Sequence, residues 1–210
     1  MSENCDKNIS TPNFWNKLYL NKKDKWSLNA PTPAFMNWGK KHLKDNNYSS
    51  NIKICIPGCG KGDDVLFFAS CGYQVYAFDF SSYATNHLIN KSKDLNLNIN
   101  IINENFFDIE KNYMNFFDII IEYTFFCAIK PSDRINYINI CNNILKDNGK
   151  IVAIFLPLKD VPGNNPPYTV SLNKTLKQFS NSFKYISKYY PTNSINKRKG
   201  NEIFIEFIKK

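Results

Sequence analysis

Residues 55–64, CIPGCGKGDD, place Gly58, Gly60 and Gly62 after a short apolar run and set Asp63 and Asp64 where a helix should begin. Glycines at that spacing let the backbone approach a ligand closely, and the start of the following helix offers unpaired N–H groups. A bland tight turn is the alternative, because a lone glycine-rich loop is a common pattern. Asp79 ends the next apolar run, VYAFD, where a carboxylate can accept both ribose hydroxyls of an adenosine-containing ligand. It could instead cap a helix starting at Ser81 or Ser82.

The acids narrow the choice of ligand. A P-loop needs Gly-Lys followed by Ser or Thr, whereas GKGDD brings two carboxylates to the helix start. They use its positive end and repel a pyrophosphate, which disfavours NAD, FAD and ATP. S-adenosylmethionine has no phosphate and carries a cationic sulfonium, so charge favours this methyl donor. A second motif, NPPY at 165–168, looks like the amide-binding motif of enzymes that methylate adenine N6 or glutamine amides. It follows the fifth strand-like run rather than the fourth, where EYTFF stands, so no base-flipping pocket is read from it.

A site of this kind needs strands alternating with helices, and the chain alternates from residue 52 onward. IKICI (52–56), YQVYAF (73–78), INIIN (99–103), FFDIIIE (116–122) and KIVAIFL (150–156) read as covered strands. Between them, residues 63–71, 81–95 and 131–147 have apolar residues at helical spacing, the last with Pro131 near its start and Gly149 beyond its end. A helix over 170–180 and two strands at 183–190 and 202–208 follow, the pair able to close the sheet with one strand antiparallel. The pattern predicts an α/β fold with a mostly parallel sheet in one domain. The first fifty residues differ: Trp15, Trp26 and Trp38, with PTP at 31–33 before a helix, need a surface to cover.

Bulk properties exclude several classes. Six cysteines without a close C-x-x-C pair, and only two histidines, His42 and His87, argue against a zinc site or a disulfide scaffold; no metal is expected. The N-terminus lacks a signal-like apolar run and no stretch approaches a membrane span, so a soluble cytoplasmic protein is expected. The net charge of +9 is scattered along the chain, apart from short clusters such as KKDK at 22–25. It reads as a solvated basic surface that draws small anions, and a nucleic-acid partner is not expected from it.

Taken together, W…W…PTPAF (15–35), PGCGKGDDV (57–65), FD (78–79), NFFDI (105–109), EYTFFCAIKPSDR (122–134), NPPYTV (165–170) and RKGNE (198–202) resemble the thiopurine methyltransferase and halide/thiol methyltransferase family. The resemblance runs from about Phe14 to Lys210 and is stronger to the halide and thiol branch. It implies a Rossmann-like class I methyltransferase fold, a seven-stranded sheet with helices on both faces. It also implies S-adenosyl-L-methionine as cofactor and S-adenosyl-L-homocysteine as product. Residues 1–50 would be a cofactor-covering segment of the same domain and 51–210 the methyltransferase body. Trp15 and Trp26 would cover the cofactor, Gly58 and Gly60 approach its methionine part, and Asp79 hold the ribose. Asn105 and Phe106 would sit near adenine, and Glu122 and Tyr123 would border the methionine and the transfer centre. Asn105 and Glu122 depart from the Asp usual in the family at both positions, and the family's GGPPY is here NNPPY.

Transfer from a sulfonium is an in-line displacement of an already activated group. A thiol, bisulfide or halide acceptor therefore needs no strong general base, in keeping with the lack of a nucleophilic triad pattern. Tyr123, Phe126 and Tyr168 are the expected substrate-pocket walls and Arg198 a closing or steering cation. Core packing is the alternative for Phe126, Cys127, Trp26 and Trp38. Asp133 and Arg134 read as a local pair at a helix start. The expected partner is a small molecule or anion, and the protein a monomer or weak homodimer. A methyltransferase acting on RNA or protein, and a non-catalytic binder of the cofactor, stay open as alternatives.

Overall fold

The computed structural model describes residues 8–46, 51–163 and 165–210; Cys5 and the remaining parts of the 1–50 segment lie outside the described residues. Strands β1 (Lys53–Pro57), β2 (Gln74–Phe78), β3 (Asn100–Ile102), β4 (Phe117–Tyr123), β5 (Leu145–Phe155), β6 (Phe183–Tyr189) and β7 (Ile203–Lys209) form one sheet in the order β3-β2-β1-β4-β5-β7-β6. Pairing is parallel from β3 to β5, and β7 runs antiparallel to both β5 and β6. This is the class I Rossmann-like methyltransferase arrangement. The strand order reverses between β1 and β4, which opens a crevice at their carboxyl ends.

Side-chain alternation along the central strands feeds two cores. From β5, Ile151, Ala153 and Phe155 enter one, with Tyr137 of α5 (Arg134–Ile144) and Phe179 of α6 (Leu172–Phe179). Val152 and Ile154 point to the other, with Phe35 of α2 (Pro33–Asn46), Phe68 of α3 (Asp63–Ser70) and Leu88 of α4 (Ser82–Asp94). Period-two burial on both faces is what a helix-covered sheet demands. Trp38 belongs to the second core, stacked on His42 with ring centroids 4.5 Å apart.

Two boundaries differ from the sequence expectation. The helix predicted over 131–147 is α5, which ends at Ile144, and Gly149 lies within β5 instead of stopping a helix. Phe117 pairs with Leu145 but Ile119 with Lys150, so residues 146–149 bulge from the ladder. Asn148 takes a positive φ of 61° there, and a Cβ on Gly149 would meet the Lys146 carbonyl at 2.8 Å. Within the N-terminal segment, α1 (Pro12–Leu20) is a helix that the apolar pattern did not mark.

Polar anchors fasten this segment to the sheet's helices. Asn16 Oδ1 accepts from Ser81 Oγ at 2.6 Å and Tyr83 N at 3.3 Å, which seats α1 against the start of α4. Asp64, the second acid of the glycine loop, accepts from Thr32 N at 2.7 Å and Thr32 Oγ1 at 2.9 Å. Lys61 and Asp24 pair at 2.7 Å. Thr32→Val removes one buried bond to Asp64 and should cost about 1–2 kcal/mol. Differential scanning fluorimetry should show a Tm fall of about 2–8 °C, and Thr32→Ser should restore most of it.

Candidate functional site

A cavity of about 550 Å³ opens at the carboxyl ends of the central strands, the size of a small-ligand site. A smaller one of about 60 Å³ adjoins it, and the two share Trp26, Gly58 and Thr124 as walls. Of the residues singled out from sequence, Trp15, Trp26, Gly58, Asp79, Asn105, Phe106 and Arg198 line the larger cavity. Gly60 and Tyr123 line the smaller. The tryptophans meet edge to face at 5.4 Å; Trp15 donates to the Ile9 carbonyl at 2.8 Å and Trp26 to the Tyr19 hydroxyl at 3.2 Å.

Asp79 is only 8% exposed, and its two oxygens accept from Gly60 N at 2.9 Å and Ser81 N at 2.8 Å. Burial overrides these donors and pushes the carboxyl up to about 6. Asp79 is not the cap of α4: Ser81 is, its hydroxyl accepting from Ala84 N at 3.3 Å. Each carboxylate oxygen has further acceptor capacity, so Asp79 can serve a ligand in the cavity while it holds the loop. Asn105 Oδ1 accepts from Phe107 N at 3.2 Å and so opens the 3-10 turn Phe106–Asp108. Its side-chain oxygen thus holds the turn and keeps a second lone pair for a ligand.

Gly58 has φ 56°, and a Cβ there would lie 2.2 Å from Phe125 Cδ2. The absent side chain is the reason the Phe125 ring can lie on the loop. Phe125 and Thr124 line the larger cavity although sequence reasoning chose Phe126. Phe126 is 1% exposed and packs in the core against Tyr137, Phe155 and Phe179. Thr124, with φ 65°, breaks the strand alternation and sends the first phenylalanine to the cavity. The signal was the motif TFFCAI itself; its face could not be read past the end of the strand.

Other expected site residues lie outside the larger cavity. Glu122 is buried behind the wall, its carboxylate taking Phe125 N, Phe126 N and the Tyr137 hydroxyl. Burial raises it to about 7. Tyr123 faces the smaller cavity, with its hydroxyl between Arg198 Nη1 and Glu202, and burial raises it despite the Arg198 charge. Arg198 Nη2 also donates to the Trp26 carbonyl at 3.0 Å, so Arg198 bridges the N-terminal segment and β4. Pro166 and Pro167 reach the larger cavity, whereas Tyr168 is not among its walls.

Arg134 makes no pair with Asp133. It donates to the carbonyls of Phe126, Tyr168 and Thr169 at 3.2, 3.4 and 3.1 Å and clamps the 166–169 loop beside the cavity. Its side chain is buried, where carbonyl dipoles supply the partners a guanidinium requires.

Comparison with known proteins places this architecture. The family model described as "Thiopurine S-methyltransferase (TPMT)" matches residues 10–208. The probable thiol methyltransferase 2 of Arabidopsis thaliana is 32% identical over 162 residues, 76% of this chain and 68% of that protein. Thiocyanate methyltransferase 1 of the same plant is 28% identical over 193 residues, 90% of this chain and 81% of that one. Among solved structures, the 1,6-didemethyltoxoflavin-N1-methyltransferase of Burkholderia thailandensis, with bound 1,6-didemethyltoxoflavin and S-adenosylhomocysteine, superposes with a TM-score of 0.71 at 15% identity. The match covers 95% of this chain and 86% of that one, a likeness of fold.

The buried acids set a pH dependence of stability. A carboxyl held above its unfolded value contributes fully below about pH 4 and loses that contribution as pH rises through its folded value. Asp64 and Asp79, both raised to about 6 by burial, and Glu122, raised to about 7, share this sign. Urea denaturation of the unliganded protein should give a lower midpoint at about pH 7.5 than at about pH 5. An equal or higher midpoint at the upper pH would mean that these acids are ionised without penalty.

Proposed function

We propose, for a chain that belongs to the thiopurine S-methyltransferase family, an acceptor and a set of residue roles. The protein is an S-adenosylmethionine-dependent methyltransferase that acts on a small soft nucleophile. Within that class the acceptor we favour is a thiol, bisulfide or halide ion, and the names of the thiol and thiocyanate methyltransferases among its relatives support this.

The residues present fit such a donor. Gly58 offers backbone without a side chain, Asp79 keeps acceptor capacity towards the cavity, and the rings of Trp15 and Trp26 can cover a cationic centre. Asp63 and Asp64 at the start of α3 disfavour a phosphate there. When bound, S-adenosylmethionine supplies an electrophilic methyl group and leaves as S-adenosylhomocysteine.

The chain's own task is to bind, align and exclude water. In this reading Asp79 holds the ribose, Asn105 and Phe106 border adenine, and Gly58, Gly60 and Tyr123 border the methionine part. Residues 1–50 are the cover of the same domain, tied down by Arg198 through the Trp26 carbonyl. The acceptor lies against the loops after β4 and β5, where Phe125, Cys127, Ile129, Leu156 and Pro167 form an apolar wall with Lys130 beside it. A desolvated anion is a better nucleophile than a hydrated one, so such a wall needs no general base. This apolar wall, in the same cavity as Asp79, is the observation that carries the proposal. We extend it to a cytoplasmic monomer or weak homodimer without a nucleic-acid partner, since the basic residues are scattered.

Headspace gas chromatography of the protein with S-adenosylmethionine and, separately, iodide, bisulfide or a small organic thiol tests the acceptor. At least one volatile methylated product above the enzyme-free control is expected. Silence in every vial, with S-adenosylhomocysteine binding confirmed on the same sample, would overturn it and point to larger acceptors or to binding without turnover. Asp79→Asn should weaken S-adenosylhomocysteine binding about tenfold or more, as expected for a lost bond to a charged group. Calorimetry on the wild-type protein should also show weaker binding at pH 5 than at pH 7.5. Protonation of Asp79 below about 6 removes acceptor capacity, and the asparagine variant should flatten that dependence.

A further inference from the structure

Building on the methyltransferase reading above, we infer that Glu122 and Tyr137 are positioning residues for methyl transfer. They fix the Thr124–Phe125 wall between the two cavities without touching an occupant of either. Neither residue lines either of these two cavities, and each is essentially inaccessible to solvent. Thr124 lines both cavities and Phe125 the larger.

The wall is held in a conformation it would not adopt alone. Thr124 is β-branched and sits at φ 65°, a left-handed position such residues avoid and keep only where neighbours over-determine it. Glu122 supplies the determinant from the strand's last turn inward. Its Oε1 accepts from Phe125 N at 3.1 Å and Phe126 N at 2.8 Å, so the carboxylate closes the bend over Thr124. Its Oε2 accepts from the Tyr137 hydroxyl at 2.7 Å, which refers the bend to helix α5.

The consequence lands on Phe125. Its ring has Gly58 on one side, close enough to exclude a Cβ, and the rings of Phe106 and Tyr137 at 5.6 and 5.7 Å. The same tyrosine therefore holds the carboxylate by its hydroxyl and the phenylalanine by its ring. Loss of either contact frees the bend, and the Phe125 ring can then move into the space a donor must cross between Gly58, Trp26 and Thr124. Removing the carboxylate also leaves two buried N–H groups and a buried hydroxyl without their acceptor.

Four variants test this: Glu122→Ala, Glu122→Gln, Tyr137→Phe and Phe125→Ala, with the double variant E122A/F125A. Each is read by Tm, by calorimetric Kd for S-adenosylhomocysteine without acceptor, and by kcat and KM for the donor. E122A should raise Kd about tenfold or more and lower kcat by a similar factor. E122Q should recover both to within about threefold, because its carbonyl oxygen can serve the two N–H groups while the amide turns to the Tyr137 oxygen. Tyr137→Phe should lose about three- to tenfold in kcat, with a Tm fall of about 2–8 °C for the lost buried bond, and the double variant should bind no more weakly than F125A alone. Wild-type Kd and kcat in folded E122A, additive losses in the double variant, or a Tm change without a Kd change would overturn the inference. Should E122A fail to fold, unchanged Kd and kcat in Tyr137→Phe overturn it on their own. Because Kd is read without an acceptor, a wrong acceptor assignment leaves this result intact.

Discussion

The Asp79 carboxylate is the constraint on which the cavity depends, because it joins the loops that follow adjacent strands. One oxygen receives Gly60 N from the loop after β1 and the other receives Ser81 N ahead of α4. The Asp79 backbone continues the tie: its N donates to the Ile102 carbonyl of β3, and its carbonyl accepts from Asn103 Nδ2 at 2.9 Å. A buried carboxylate is costly unless its lone pairs are used, and here the use is structural before any ligand arrives. The glycine loop is thereby shaped in advance, and binding need not order it.

The same principle runs through the cover of the site. Asp64, placed by sequence at a helix start where it would repel phosphate, spends both oxygens on Thr32 and so holds the N-terminal segment. Arg198 reaches the segment from the far end of the chain, with Tyr123 under its guanidinium at 4.8 Å and the Trp26 carbonyl beyond. Asn16 completes the attachment on the α4 side. The segment that carries Trp15 and Trp26 is therefore tied at four places, to Asp64, Lys61, Arg198 and the start of α4, while both tryptophans line the cavity.

How much of this was legible in the sequence follows from how locally each feature is encoded. The covered strands, the glycine loop and Asp79 at the end of β2 were all readable, because each depends on neighbours in the chain. The antiparallel closing pair was readable for the same reason. Phe125 was not, because the left-handed Thr124 shifts the alternation just where the strand ends. Glu122 and Arg134 were misplaced for a different reason: their partners, Tyr137 and the 168–169 carbonyls, come from distant segments. A charged residue type announces chemistry in a sequence, and only the fold tells whether that charge serves a ligand or the loops that surround it. The α5 to β5 boundary failed because Gly149, a good helix stop by type, is required by a bulge.

Cys127 shows why an apolar wall suits a reaction of this kind. Its thiol lines the larger cavity, so under the proposed placement of the acceptor its thiolate would compete with that acceptor. Burial, with the Glu122 charge nearby, pushes it up to about 12, and its Sγ donates to the Thr124 carbonyl at 3.2 Å. At neutral pH the thiol therefore stays protonated. A mobile small anion entering from solvent can arrive already ionised and lose its water at the wall, whereas the resident thiol must pay the full cost of ionising in place. One environment thus favours the incoming nucleophile and suppresses the built-in one, and the difference lies in where each acquires its charge.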